Sequence, residues 1–225
     1  MLHEFPSTGQ GGKKASHTNF EMENLDPVSY IPEAAKSRIR SSSRIVTFVQ
    51  FVAHSVLPNG GNHWKIFLQT GEHEFVQLEI SPGAWPGREG YLGRLDIMDH
   101  RHMLTHNHHQ TVSIPAEPGH RVVSFLDAIV RADNHRYEFT QKGRGCTGWV
   151  RDQFYLFTQA HLIPSGWESR FEAAIRTAWD TNVSLGSWPV TYGTYLRDRS
   201  GNRRQGRRHE GPNPDRLVHD VGRDI

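Results

Sequence analysis

The chain holds a single cysteine, Cys146, in the run Gly143-Arg144-Gly145-Cys146-Thr147-Gly148-Trp149-Val150. The thiolate is the nucleophilic form of cysteine, and it is favoured at a helix N-terminus or beside an imidazole. Glycines stand just before Cys146 and an amphipathic helical pattern starts at it, which predicts a thiol at a helix start, where the first backbone N–H groups are unpaired. Nucleophilic cysteine chemistry also needs an imidazole to take the thiol proton and a third group to hold that imidazole. His63, in Asn62-His63-Trp64-Lys65-Ile66-Phe67-Leu68, is the candidate base. Gln77 and Glu79, one strand-like run later, are candidates for the third group. A neutral amide there would orient the ring, and a carboxylate would also favour imidazolium. The backbone N–H of Cys146 or Thr147 would serve an oxyanion hole. The plainer readings are an inert buried thiol, a strand-end histidine bonded to a nearby turn, and two surface-facing strand residues.

Several elements must bring these groups together. Ile45, Val46, Phe48, Val49, Phe51 and Val52 predict a strand from Arg44 that is apolar on both faces and therefore central. Pro58 to Gly61 is turn chemistry. In the next strand Trp64, Ile66 and Leu68 share one face, and His63, Lys65 and Phe67 the other. Thr70 to His73 turns the chain into a hairpin partner over 74–80, with Gln77 and Glu79 on the face opposite Val76, Leu78 and Ile80. The Pro- and Gly-rich stretch 81–90 predicts a surface loop, and Tyr91 to Met98 a further strand. A short strand over 111–114, an amphipathic helix over 120–132 and a strand or extended link over 136–140 follow. Cys146, Trp149, Val150, Gln153, Phe154 and Phe157 then fall on one helical stripe, so the thiol faces the sheet. After Pro164, Ser165 is the expected N-cap of a last helix, with Glu168 completing a capping box and Trp167, Phe171, Ala174, Ile175 and Ala178 buried. Trp188 and Gly193-Thr194-Tyr195 are expected to return to the core.

The 225 residues suffice for one domain with flanking segments. Residues 1–43 are rich in Gly, Ser, Lys and Asn and are expected to be disordered, with a short helix possible over Glu33 to Arg40. From Arg197 the chain is again expected to be disordered, with eight arginines against five acids. The charges of 1–43 cancel, so the folded part, 44–196, carries about −1 of the overall +2. Basicity therefore lies in the tail, either as a solvated segment or as a contact for RNA, and not on a nucleic-acid platform in the core. A lone cysteine forbids an internal disulfide. No apolar run is long enough for a membrane span, and Met1 to Asn19 lack a signal core, which together lead to an expected cytoplasmic location. His100, His102, His106, His108 and His109 form a cluster whose spacing matches no closed metal site, so no metal and no cofactor are expected. Metal-dependent chemistry at that cluster is the third-ranked reading.

The His63-to-Leu68 strand, the Phe75-Val76-Gln77-Leu78 strand and the Gly145-Cys146 helix with Trp149-Val150 resemble the circularly permuted branch of the NlpC-type papain-like superfamily. Lecithin:retinol acyltransferase-like proteins show that order, and a fungal domain family with Asn-His-Trp and Gly-Cys-x-x-Trp-Val motifs is also similar. The resemblance covers roughly 44–196. It implies an α+β fold with an antiparallel sheet packed against the cysteine helix, and Cys–His acyl transfer through a thioester. Its products would be those of amide or ester hydrolysis, or of amide-bond formation in specialised metabolism, for example from an aminoacyl-tRNA donor. The third position of the superfamily pattern is commonly histidine; here it is Gln77. In the fungal family a bulky residue commonly follows the cysteine, and Thr147-Gly148 here would widen the pocket. Arg144, Trp64 and Trp149 are candidates for contact with a small-molecule, aminoacyl or peptidyl substrate, although core packing is the plainer role of both tryptophans. A binding module that keeps the fold without catalysis is the alternative function.

Overall fold

A computed structural model of the chain describes residues 43–57, 61–100 and 108–196. Residues 1–42 and 197–225 lie outside them, and with them the expected disordered ends, the helix over 33–40 and the arginine run. The architecture is α+β. Nine strands are described: β1 (Phe48–Val56), β2 (Asn62–Gln69), β3 (Phe75–Pro86), β4 (Gly90–His100), β5 (Gln110–Pro115), β6 (Tyr137–Thr140), β7 (Thr177–Asp180), β8 (Val183–Ser187) and β9 (Thr194–Tyr195). Three helices accompany them: α1 (Val122–Arg131), α2 (Cys146–Gln159) and α3 (Glu168–Ile175). A seven-stranded sheet runs in the order β5-β1-β2-β3-β4-β6-β9, and β7-β8 forms a separate hairpin. Every pairing is antiparallel.

Alternation along β1 and β2 builds two apolar faces of unequal size. Val49, Phe51 and Ala53 of β1 and Trp64, Ile66 and Leu68 of β2 join the main core beneath the helices. Val52, Phe67 and Phe75 form a small second cluster on the other face. Two-sided burial explains why β1 reads as a continuous apolar run. It starts later than its sequence suggests: Ile45 makes only an isolated bridge to Arg121 and is 54% exposed.

The stripe expected on α2 is buried throughout. Phe154 stacks on Phe171 of α3 at 4.1 Å, and Phe171 meets Phe51 of β1 edge-on at 4.9 Å, which ties both helices to the sheet. Gln153 is the polar member of the stripe, and it is satisfied there. It accepts from Asn134 Nδ2 at 3.1 Å and donates to the Trp149 carbonyl at 3.0 Å. On α1, Val122, Phe125, Leu126 and Ile129 face the core, and Phe125 meets Phe157 of α2 at 5.0 Å. Among the described residues no helix is long and apolar enough to cross a membrane.

Three sequence expectations need correction. The stretch 81–90 is not a long loop, because β3 continues through Pro86 opposite β4, with an irregularity between Pro82 and Pro86. Its β2–β3 ladder stops at Ile66–Leu78, so this part of β3 is an edge on that side, where proline removes no ladder hydrogen bond. Ser165 does not cap the last helix; Trp167 is the N-cap, and Glu168 accepts from the Gly166 N–H at 2.8 Å instead. Ala178 is buried, but on β7 and not on that helix. The β7–β8 hairpin had no sequence signal. Its two-residue turn, Thr181-Asn182, has φ of 48° and 64°, the left-handed pair that Asn-Gly usually supplies.

Candidate active site

The start of α2 is built by glycine backbone and by a strap from the end of the domain. Gly145, the N-cap of α2, has φ of 148°, and an added Cβ would lie 3.0 Å from the Tyr137 hydroxyl. That hydroxyl donates to the Gly145 carbonyl at 2.9 Å and accepts from the Gly193 N–H at 2.5 Å. The Gly148 N–H donates to the Thr191 carbonyl at 3.0 Å. A Cβ on Gly148 would come within 2.6 Å of Tyr192 and 2.7 Å of the Thr191 carbonyl. Gly148 therefore does not widen the pocket; it lets residues 191–193 cross the helix start. The expected return of Gly193 to Tyr195 to the core follows directly after it, where Thr194 and Tyr195 pair with β6 and the Tyr195 ring lies 4.9 Å from that of Tyr137.

The thiol sits where β2 and β3 part. Beyond Ile66–Leu78 the two strands no longer pair, and the backbone N–H groups of Trp64 and Thr147 lie near enough to the Cys146 sulfur to favour its thiolate. His63 stands at the same end of β2, its ring close enough to the thiol for each to shift the other's ionisation. His63 Nε2 is 2.7 Å from Glu79 Oε1. With Nε2 so occupied, Nδ1 is the ring nitrogen left for sulfur. Glu79 also accepts from Lys65 Nζ at 3.0 Å and from Gln77 Nε2 at 2.7 Å, both on Oε2.

The three ionisations move together. Burial pushes His63 down, but its hydrogen bonds to the thiol and to Glu79, with their charges, lift it from 6.5 to about 9. Burial pushes Glu79 up, but His63 and Lys65 bring it from 4.5 down to about 2. Burial pushes the Cys146 thiol up, and the bond and charge of His63, with the N–H groups of Trp64 and Thr147, outweigh it and lower it. Both shifts favour the thiolate–imidazolium form of the pair, supported by a carboxylate that is itself held by an amide and an ammonium.

Residues 49–196 match the family described as a domain of unknown function, DUF7770. The chain belongs to this family. No curated protein and no solved structure matches it. The DUF7770 segment contains His63, Glu79, Cys146 and the strap that crosses α2.

Within this DUF7770 domain, Cys146 and His63 open onto a cavity of about 180 Å³. Arg144 also lines it, beside Pro82, Phe139 and Trp188. Trp64 and Trp149 do not. They are 1% and 0% exposed, and neither residue lines this cavity. The Trp149 indole donates to the Asn134 carbonyl at 2.7 Å, and Trp64 serves the site through its backbone alone. Large aromatics on buried stripes are core residues, and both obey that rule. Gln77 does not touch His63; it acts through Glu79. Asn62, next to the base, is a clip: its amide bonds the His54 carbonyl at 2.9 Å and both backbone groups of Trp179 at 2.9 and 2.8 Å.

Sequence reasoning missed Lys65 and Trp188. Lys65 shares the His63 face of β2, a signal that period-2 alternation already carried. Trp188 had no such signal, since its partner Gly61 is remote in the chain. A larger groove, about 540 Å³, runs along α1 and α2 past His120, Asp127 and Arg131, and neither the thiol nor His63 lines it. Of the histidine cluster, His102 and His106 lie outside the described residues. His109 Nδ1 accepts from the Thr181 N–H at 2.7 Å and faces Asp180 at 3.1 Å, while His100 leans on Phe67 at 6.0 Å. Among the described residues no three His, Cys, Asp or Glu side chains converge as metal ligands.

Proposed function

We propose that this domain catalyses cysteine-dependent acyl transfer, on a fold of the circularly permuted papain-like type. One observation carries the reading: Cys146 and His63 line one cavity, close enough for each to shift the other's ionisation, and Glu79 holds the His63 ring at 2.7 Å. The chain order, base strand, orienting strand and then cysteine helix, supports the permuted assignment. In the first step the Cys146 thiolate adds to a carbonyl carbon, and the electron pair moves onto oxygen. The backbone N–H of Cys146, at the start of α2, is the available donor to that oxyanion, since Gly148 and Trp149 donate to the Thr191 and Gly145 carbonyls. As the tetrahedral adduct collapses, the bond to the leaving group breaks, and imidazolium His63 gives that group its proton. The products are an acyl thioester and neutral His63. Water or an amine then attacks the thioester, His63 takes its proton, and the thiolate departs to restore the ion pair.

The test is the pH dependence of iodoacetamide alkylation. Wild-type Cys146 should react rapidly near pH 6, where an ordinary thiol is almost wholly protonated, and His63→Ala should slow that reaction by about tenfold or more. With para-nitrophenyl acetate, a burst of nitrophenolate stoichiometric with enzyme should appear and vanish in Cys146→Ser. A thiol that titrates in the ordinary range and ignores His63→Ala would refute the proposal.

A further inference from the structure

The cavity beside the thiol has one cationic side chain besides His63, and its arrangement reads as a recognition device. Arg144 is half-buried in the cavity wall, two residues before Cys146. Its guanidinium carbon lies 5.7 Å from the centre of the Trp188 ring. Trp188 is held in turn: its backbone N–H donates to the Arg176 carbonyl at 2.7 Å, and its indole lies so close over Gly61 that an added Cβ would be 2.4 Å from Nε1. Gly61 also has φ of 70°, so the platform depends on glycine twice over. A cation–π contact uses none of a guanidinium's N–H donors and leaves them for a planar, bidentate acceptor.

Nothing described in the protein fills that role. Among the described residues no Asp or Glu lines the cavity, and Arg144 has no carboxylate partner. General basicity does not account for it, because residues 44–196 carry a net charge of about −1. The space is also restrictive. About 180 Å³ equals roughly six water molecules' share of liquid volume, below the ~300 Å³ at which drug-sized sites begin. One small unit fits, between the apolar walls of Pro82, Phe139 and Trp188.

We infer that the site selects a small acyl substrate bearing an oxyanion group, a carboxylate or a phosphate, gripped by Arg144 on its Trp188 platform. The inference rests on the acyl-transfer reading for its reaction, and on Arg144, Trp188 and Gly61 for its selectivity. Arg144 is a specificity residue. Without it the thiolate still forms, but an anionic substrate loses its anchor.

Alkylation with matched reagents tests this. Para-(bromomethyl)benzoate, the corresponding phenylphosphonate and neutral para-(bromomethyl)benzamide all react alike: sulfur displaces bromide and a carbon–sulfur bond forms. Each rate is divided by the rate of the same reagent with glutathione, and the anion-to-amide ratio is then compared between variants. The wild-type ratio should favour an anion by about tenfold, the low end of a charge-assisted hydrogen bond at a half-buried site. Arg144→Gln should abolish most of this preference, and Arg144→Lys should keep part of it. Lys142→Gln, an exposed cation in the same turn, should keep all of it. High salt should shrink the wild-type ratio, which reads the same contact without a substitution. Whichever anion is preferred identifies the group. A ratio unchanged in Arg144→Gln, or lowered as much by Lys142→Gln, would overturn the inference. Slow reaction of wild type with the amide reagent near pH 6 would instead count against the Cys–His pair. The ratio still decides the role of Arg144 in that case, because the absolute rate cancels.

Discussion

Glu79→Gln isolates what the carboxylate does for the base. His63 titrates at about 9 instead of 6.5. At ~1.4 kcal/mol per pH unit, imidazolium gains a net of about 3 kcal/mol from its surroundings. Burial opposes that gain, and the thiolate and Glu79 supply it. Glu79 falls by a similar span, from 4.5 to about 2, but this is the same contact seen from its other end and is counted once. Assigning about half of the gain to Glu79, its replacement by a neutral amide should lower the His63 midpoint by roughly one to two pH units. The signs then fix the stability profile. A raised histidine stabilises the fold fully below 6.5 and loses that contribution as pH rises through about 9. A lowered carboxylate stabilises above 4.5 and loses its contribution as pH falls through about 2. The His63 contribution should therefore fade between about pH 6.5 and 9 in wild type, against an opposite contribution from the lowered Cys146 thiol, and in Glu79→Gln it should be smaller and end at a lower pH. The variant should also be less stable at pH 7 by about 1–3 kcal/mol, since Lys65 keeps its charge and loses its counterion. The assay is an NMR titration of the His63 ring, assigned by its absence in His63→Ala, alongside urea unfolding at several pH values. A His63 midpoint that stays near 9 in Glu79→Gln would refute the carboxylate's part in this reasoning.

Gly145→Ala should cost about 1–3 kcal/mol, because φ of 148° suits only glycine and the new Cβ would press on Tyr137 and Gly193. Urea unfolding reads the cost, and unchanged stability would show that the helix start tolerates a side chain. Trp149→Phe should lower the urea midpoint, losing about 1–3 kcal/mol with its buried N–H bond and part of its ring. The alkylation pH profile should stay as in wild type, since the indole is core; a shifted profile would return Trp149 to the site.

Periodicity made the centre of this fold legible. The stripe from Cys146 to Phe157 follows helical spacing, and it is buried as that spacing requires. The shared face of His63, Gln77 and Glu79 follows from strand alternation. Alternation cannot rank Gln77 against Glu79, because both lie on one face; only the end of the β2–β3 ladder decides which of them meets His63. The stretch 81–90 misled for a related reason. Proline and glycine signal a loop when every strand position needs a ladder partner, and β3 there has lost one neighbour. The Gly61–Trp188 contact was beyond local reading, since it joins segments from opposite ends of the domain. Local patterns report which face a side chain takes, and not which distant backbone it meets.

The carboxylate also bears on how one imidazole could serve both halves of the proposed reaction. In the resting enzyme the thiolate and Glu79 both favour imidazolium, so His63 is charged at pH 7 and ready to protonate a leaving group. Once the sulfur is acylated, one of those two supports is gone, and the burial that opposes charge remains. The midpoint of His63 must then fall, which makes the ring a better base when water or an amine arrives. The switch in role thus comes from the chemistry of the thioester and needs no movement of the protein. Glu79 sets how far the fall goes. A histidine in its place would hold the ring without a negative charge, whereas a carboxylate keeps imidazolium favoured through acylation. Lys65 tempers that effect by drawing on the same carboxylate at 3.0 Å. Lys65→Met should therefore strengthen the hold of Glu79 on the ring and raise the His63 midpoint in the acylated enzyme. The cost falls on the second step: the burst of nitrophenolate should survive, while the steady rate that follows it slows.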